Sequence, residues 1–198
     1  MKPKAKSQKQ KVKIVFLDRD GVVNEDSAEY IKEPSEFHFI PRSPEAVALL
    51  NRHGFEVILI TNQSLIGRKM ADLQTLEAIF HKMKKGIQGA GGRIRDIFFC
   101  PHTPDQGCSC RKPRPGLILK AAEVYGIDPA GAVMVGDSAK DVECGINAGC
   151  GLTCLVATGN GRNARKDLAR KGIVPDYFGE DLYDAAQWIT NHPIGSNE

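Results

Sequence analysis

Short, unbroken apolar blocks recur along this chain, and each ends abruptly at a polar residue. Ile14-Val15-Phe16-Leu17 stops at Asp18, Val57-Ile58-Leu59-Ile60 stops at Thr61, and the run Ala132 to Val135 stops at Gly136-Asp137. Two less uniform stretches, Leu152 to Val156 (with Thr153 inside it) and about 94–99 (with Arg95 and Asp96 inside it), read as two further strands, and a short sixth strand is expected near 176–178. Continuous rather than alternating apolar character predicts strands covered on both faces, as in a parallel sheet.

Between these blocks the apolar period lengthens to three and four. Leu73, Leu76, Phe80, Met83 and Ile87 lie on one face of a long amphipathic helix that stops at Gly91-Gly92. Ser43-Pro44 opens another helix, with Ser43 as its N-cap and proline in its first turn, and Gly54 closes it. Pro115 to Tyr125 forms a helix ending at Gly126, Ser138 to Ala148 forms the next, and two more fall near 164–171 and 181–191. Residues 19–43 read as a long irregular stretch. Strands alternating with helices give an α/β fold, a Rossmann-like three-layer sandwich around a central parallel sheet. Such sheets bind ligands just beyond the carboxyl ends of their strands. Asp18, Thr61, a cysteine-rich loop after residue 99, and Asp137 all stand there.

Composition refines this picture. At 198 residues, with 41% hydrophobic and 26% charged residues, the chain suits one domain, expected over residues 13–192. The net charge of +3 is unevenly placed. Six lysines (2, 4, 6, 9, 11 and 13) precede or adjoin the first apolar block, so the remainder carries 3 − 6 = −3. Residues 1–12 read as a solvated, disordered basic tail. No apolar run approaches the ~20 residues of a membrane helix. The chain shows no secretory signal and no disulfide framework, which points to the cytoplasm. Cys144, Cys150 and Cys154 are dispersed and read as small buried apolar residues.

The chemistry concentrates at the strand ends. Asp18 and Asp20, two apart in a turn with Gly21, can present both carboxylates to one substrate atom. One can attack phosphorus; the other can protonate the leaving oxygen and later activate water. A turn-capping aspartate pair is the plainer alternative. Asp137 offers a hard oxygen ligand suited to Mg²⁺, a role compatible with capping the helix that follows, and Asp141 falls four residues on. Thr61, Asn62 and Lys112 add a hydroxyl, an amide and a positive charge. These are what a transferring phosphoryl group requires.

Cys100, His102, Cys108 and Cys110 lie in the run C-P-H-T-P-D-Q-G-C-S-C, directly before Arg111-Lys112-Pro113. Three thiolates and one imidazole select Zn²⁺ in a closed tetrahedral site, hence a structural zinc loop that fixes where Arg111 and Lys112 point.

These residues resemble the haloacid dehalogenase superfamily of phosphohydrolases over about residues 12–191. The run Asp18-Arg19-Asp20-Gly21 looks like its first motif, Thr61 its second, Lys112 its third, and Gly136-Asp137 with Asp141 its fourth. The resemblance implies Asp18 as nucleophile, Asp20 as general acid/base, and Thr61 and Lys112 as phosphoryl contacts. It implies Mg²⁺ held by the side chains of Asp18 and Asp137 and the main-chain carbonyl of Asp20. It also implies strand order 5-4-1-2-3 and no large cap domain. The runs F-L-D-R-D-G, I-T-N-Q-S and C-P-H…C-x-C-R-K-P resemble a subgroup acting on D-glycero-D-manno-heptose 1,7-bisphosphate, at its 7-phosphate, or on histidinol phosphate.

By that likeness Arg19, Asn24, Asp26, Ser27, Glu29, Asn62, Gln63, Ser64 and Arg111 join Lys112 around the substrate. The run Asp26 to Lys32 favours the heptose branch, whereas Ser138, where heptose enzymes often have lysine, and the five residues between His102 and Cys108 depart from it. The expected partner is a small phosphorylated sugar bound by a monomer, with no nucleic acid and no membrane. A zinc-knuckle nucleic-acid binder using the lysine tail is the competing class, and it would bind with a steep salt dependence.

Overall fold

The computed structural model describes residues 13–192 and 194, and the basic tail expected over residues 1–12 lies outside them. Six parallel strands form one sheet in the order β3-β2-β1-β4-β5-β6. They are β1 (Lys13–Leu17), β2 (Phe55–Asn62), β3 (Ile94–Cys100), β4 (Ala132–Gly136), β5 (Leu152–Val156) and β6 (Tyr177–Gly179). This is the expected order, with the short sixth strand paired to β5.

The unbroken apolar blocks have the predicted cause. Successive residues of a strand face opposite ways, and here both ways are core. Val15, Leu17, Val57, Leu59, Val133 and Val135 pack on one face, whereas Ile14, Phe16, Ile58, Ile60, Ala132 and Met134 pack on the other. The first face is covered by α1 (Ser43–Arg52), α3 (Leu73–Gly89) and α7 (Leu182–Asn191), and the second by α4 (Gly116–Tyr125), α5 (Ala139–Ala148) and α6 (Gly161–Arg170). The result is a three-layer sandwich without an inserted cap domain.

Several boundaries differ from the sequence reading. The N-cap of α1 is Arg42, in the left-handed region at φ 64°, so Ser43 is the first helical residue. The Ser43 hydroxyl donates to the Val23 carbonyl at 2.5 Å instead of capping. Pro115 is the N-cap of α4 and lies outside the helix. A four-residue helix, α2 (Ser64–Gly67), follows β2 and has no counterpart in the sequence reading. Residues 18–42 are mostly irregular but not loose. They contain a short 3₁₀ turn (Pro34–Glu36) and bridges from Asn24 to Asp20 and Phe39. Phe37 and Phe39 meet edge to face, and Lys82 Nζ of α3 donates to the Pro34 carbonyl at 2.6 Å. The stretch is thereby pinned against α3. Cys144 and Cys154 are buried as expected, but Cys150 is half-buried.

Candidate active site and metal centres

Asp18 leaves β1 with its backbone N–H still bonded to the Val135 carbonyl (3.0 Å), which continues the β1–β4 pairing one residue past the strand. Its carboxylate is thus carried to the carboxyl edge of the sheet. Gly21 turns the chain at φ 75°, and a Cβ there would lie 2.1 Å from Asp137 Oδ2. Only glycine lets these two carboxylate-bearing turns approach so closely.

Lys112 joins the motifs. Its Nζ lies 2.8 Å from Asp18 Oδ1 and 2.6 Å from Asp141 Oδ1, and its side chain is only 2% exposed. Its backbone is held as well. Lys112 N–H donates to Asn62 Oδ1 (3.1 Å), and Asn62 Nδ2 donates to the Lys112 carbonyl (3.3 Å). Asp141, fully buried, uses its other oxygen to accept from Ser138 N–H (2.9 Å) and Ser138 Oγ (2.7 Å). The cap of α5 is therefore Ser138, in a capping box with Asp141, and not Asp137. Freed from capping, Asp137 accepts from Asn160 N–H at 2.8 Å.

Ligand atoms of Asp18, Asp137 and Asp141 lie within 4.8 Å of one another. Burial pushes Asp18 up to about 7, with Lys112 opposing and Asp141 and Asp20 reinforcing the rise. Burial, then Asp141 and Asp18, push Asp137 up to about 8. Burial opposes the charge on Lys112, but Asp141 and Asp18 outweigh it and hold the ammonium above its ordinary range. One ammonium among three crowded carboxylates leaves the cluster short of positive charge. Asp141 Oδ1, moreover, has no hydrogen-bond partner among the described residues beyond its ion pair with Lys112. The donor set fits a hard divalent cation.

Asp20 is held differently. Arg19 donates to it from Nε (3.0 Å) and Nη2 (2.7 and 2.9 Å), Asn24 Nδ2 donates at 2.9 Å, and Gln63 Nε2 at 3.0 Å. The same Gln63 nitrogen lies 2.9 Å from Thr61 Oγ1. Burial opposes ionisation of Asp20, but the Arg19 charge and the bonds from Arg19, Asn24 and Gln63 outweigh it and hold the carboxyl below its usual range. Arg19, expected as a substrate contact, is 1% exposed and lies against Asp20, with its guanidinium 5.9 Å from the Phe80 ring centroid.

The cysteine loop leaves β3 at Cys100. Sulfur–sulfur distances among Cys100, Cys108 and Cys110 are 3.2 to 3.5 Å, and His102 Nδ1 lies 3.5 Å from Cys100 Sγ and 3.3 Å from Cys110 Sγ. The imidazole therefore presents Nδ1 to the thiols. Burial and hydrogen bonds to Cys110 and Cys108 push the Cys100 thiol up to about 12, a state that a bound cation would reverse by stabilising thiolates. Three sulfur donors and one imidazole nitrogen in one compact cluster fit Zn²⁺. The loop also orients its neighbour, since Arg111 Nη1 donates to the His102 carbonyl at 3.2 Å.

The structure thus gathers Asp18, Asp20, Thr61, Lys112 and Asp137 at one edge, with Asn24, Asn62 and Gln63 bracing them. Ser64 is buried at the start of α2. Asp26, Ser27 and Glu29 bond to one another and not to the aspartate–lysine cluster. They form a local turn in which Asp26 Oδ1 accepts from Ser27 N–H (2.8 Å) and Ser27 Oγ from Glu29 N–H (3.2 Å). Asp26 lines a cleft of about 590 Å³ together with Glu25, Ile40 and residues Thr158 to Asn160. That last turn was missed in the sequence. Its signal was available, for Thr158-Gly159-Asn160 follows the β5 apolar block at the same carboxyl edge.

Comparison with known proteins agrees with this geometry. A family model described as HAD-hydrolase-like matches residues 109–185. The chain is 46% identical, over 82% of its length and 88% of the relative's, to a D-glycero-β-D-manno-heptose-1,7-bisphosphate 7-phosphatase of Bordetella bronchiseptica. It is 45% identical to one of Pseudomonas aeruginosa, over 82% and 92% of the two chains. The crystal structure of the D,D-heptose 1,7-bisphosphate phosphatase from B. bronchiseptica, complexed with magnesium and phosphate, superposes with a TM-score of 0.84. It is 43% identical, covering 89% of this chain and 97% of that one. On this similarity, carried through nearly the whole of each relative, the chain belongs to the D-glycero-D-manno-heptose-1,7-bisphosphate 7-phosphatase family of HAD-like hydrolases.

Proposed function

We propose that this protein is a Mg²⁺-dependent phosphatase that removes the 7-phosphate of D-glycero-D-manno-heptose 1,7-bisphosphate through an aspartyl-phosphate on Asp18. The observation that carries the reading is the Lys112 ammonium lodged between Asp18 and Asp141, with Asp137 in the same 4.8 Å cluster. Such a group of charges suits a substrate that brings anionic oxygens and a divalent ion together.

In the first step an Asp18 oxygen attacks phosphorus in line, the bond from phosphorus to the sugar oxygen breaks, and that oxygen takes a proton from Asp20. In the second step Asp20 accepts a proton from water, the water oxygen attacks the same phosphorus, and the Asp18 carboxylate leaves. The bonds from Arg19, Asn24 and Gln63 favour the ionised Asp20 that the second step needs, so Asp20 must take up a proton against them before the first. Lys112 and Thr61 hold the equatorial phosphoryl oxygens. Mg²⁺, held by Asp18, Asp137 and the main-chain carbonyl of Asp20, would supply charge neutralisation at those oxygens. Zn²⁺ on Cys100, His102, Cys108 and Cys110 has a structural part, setting the direction of Arg111 and Lys112. Arg111 and the Asn24 to Glu29 turn frame the remainder of the sugar.

The test is phosphate release from a panel containing the heptose bisphosphate and histidinol phosphate, with Mg²⁺ present. The heptose bisphosphate should have the higher kcat/KM. A preference for histidinol phosphate would move the chain to the other branch, and no release from either substrate would remove the reading.

A further inference from the structure

The turn after β5 carries no acidic, basic or metal-type side chain, yet it touches two of the motifs. Asn160 N–H donates to Asp137 Oδ2 at 2.8 Å. Thr158 Oγ1 donates to the Gly21 carbonyl at 2.6 Å. Gly159, at φ +55°, lies so close that a Cβ would stand 2.1 Å from Asp137 Oδ2 and 2.8 Å from Gly21 Cα. A Cβ on Gly21 would likewise lie 2.1 Å from that oxygen. Asp137 Oδ2 is thus walled by two glycines and engaged by an amide, so the carboxylate cannot turn freely.

We infer that Thr158, Gly159 and Asn160 form a positioning clamp that fixes the orientation in which Asp137 faces the divalent ion and ties it to the Asp18–Gly21 turn. The inference rests on the reading of Asp137 as a Mg²⁺ ligand. Contacts that orient a metal ligand are worth about 10- to 100-fold in metal affinity. The clamp therefore acts through Asp137 and touches neither substrate nor metal. It also explains why a glycine pair occupies a place where any side chain would displace the carboxylate.

The test is Mn²⁺ binding, followed by electron paramagnetic resonance, to the zinc-loaded full chain and four variants. Gly159→Ala should raise the Mn²⁺ Kd about 10- to 100-fold, and Thr158→Val should raise it several-fold. Excess metal should restore much of kcat in both. Gly172→Ala is the control. Gly172 has φ +69° and nothing within 4 Å of the place a Cβ would take, so this variant shares the backbone strain and should bind Mn²⁺ as the wild type does. Asp137→Asn should lose binding. If Asp137→Asn loses binding while Gly159→Ala and Thr158→Val keep wild-type affinity, the clamp is overturned and the reading of Asp137 survives. If Asp137→Asn itself binds normally, that reading fails and the clamp with it. Should Gly159→Ala not fold, Thr158→Val decides alone, since it keeps the volume and deletes only the hydroxyl; unchanged affinity would then overturn the clamp.

Discussion

Asp18 and Asp20 stand two residues apart in one turn but sit in opposite electrostatic settings. Asp18 is pushed up to about 7 by burial, whereas Asp20 is held down by Arg19, Asn24 and Gln63. If Asp18 is the nucleophile, Asp18→Asn should abolish phosphate release while leaving the melting temperature of the metal-free protein close to wild type. Full activity in that variant would contradict the assignment. Asp20→Asn should lower kcat by about 10²- to 10⁴-fold, the usual worth of positioned proton transfer. The variant should still bind Mg²⁺ if, as proposed, Asp20 contributes only its main-chain carbonyl there; pre-steady-state phosphate release measures the first effect and calorimetry the second. The placement of Asp18, Thr61 and Asp137 at strand ends was legible in the sequence because Asp18 and Thr61 directly follow an apolar block and Asp137 follows one after a single glycine. The burial of Arg19 was not legible, since arginine is almost never fully buried unless paired, and its partner is its own neighbour. Thr158 to Asn160 escaped notice because their contribution is a main-chain N–H, a hydroxyl and the absence of a Cβ.

Elements were read well where period and length were strong, and poorly where a few residues decided the matter. The long α3 pattern, Leu73 to Ile87, placed its helix correctly. The four residues of α2 carry no period at all. Ser43 and Asp137 both looked like caps, yet the chain bonds each elsewhere, to the Val23 carbonyl and the Asn160 amide. Tertiary partners outbid local capping in both places. The cysteine loop is the opposite case, since its donors alone announce it. It leaves β3 and delivers Lys112 to Asn62 at the end of β2, so if it holds Zn²⁺ as proposed, losing that ion should unsettle Lys112. We expect about one zinc per chain by elemental analysis, and loss of activity in Cys110→Ser or after chelation, the latter restored by Zn²⁺ but not by Mg²⁺ alone. A zinc-free chain with undiminished kcat would show that the loop holds itself.

At the scale of the molecule, crowding carboxylates at one sheet edge links stability to pH. Asp18 and Asp137 titrate above the ordinary value of 3.8, at about 7 and about 8. Between about pH 4 and 8 the folded chain therefore binds more protons than the unfolded chain, and their contribution to stability falls as pH rises through that window. A divalent ion bound by Asp18 and Asp137, as proposed, would replace those protons. Mg²⁺ should accordingly raise the Tm more at pH 8 than at pH 5, at about 2–4 °C per kcal/mol for a chain of this size. An equal rise at both values, measured by calorimetry, would contradict the linkage.

Lys112 is anchored to three strand ends at once, through Asn62 closing β2, Asp18 after β1 and Asp141 in the helix after β4. An amine so enclosed and so firmly protonated is a poor nucleophile. Under limiting acetic anhydride it should be the slowest of the lysines in residues 13–192 to acetylate, as peptide mass spectrometry would show, and activity should outlast the modification of every faster one. Inactivation would then coincide with the appearance of a single acetylated peptide.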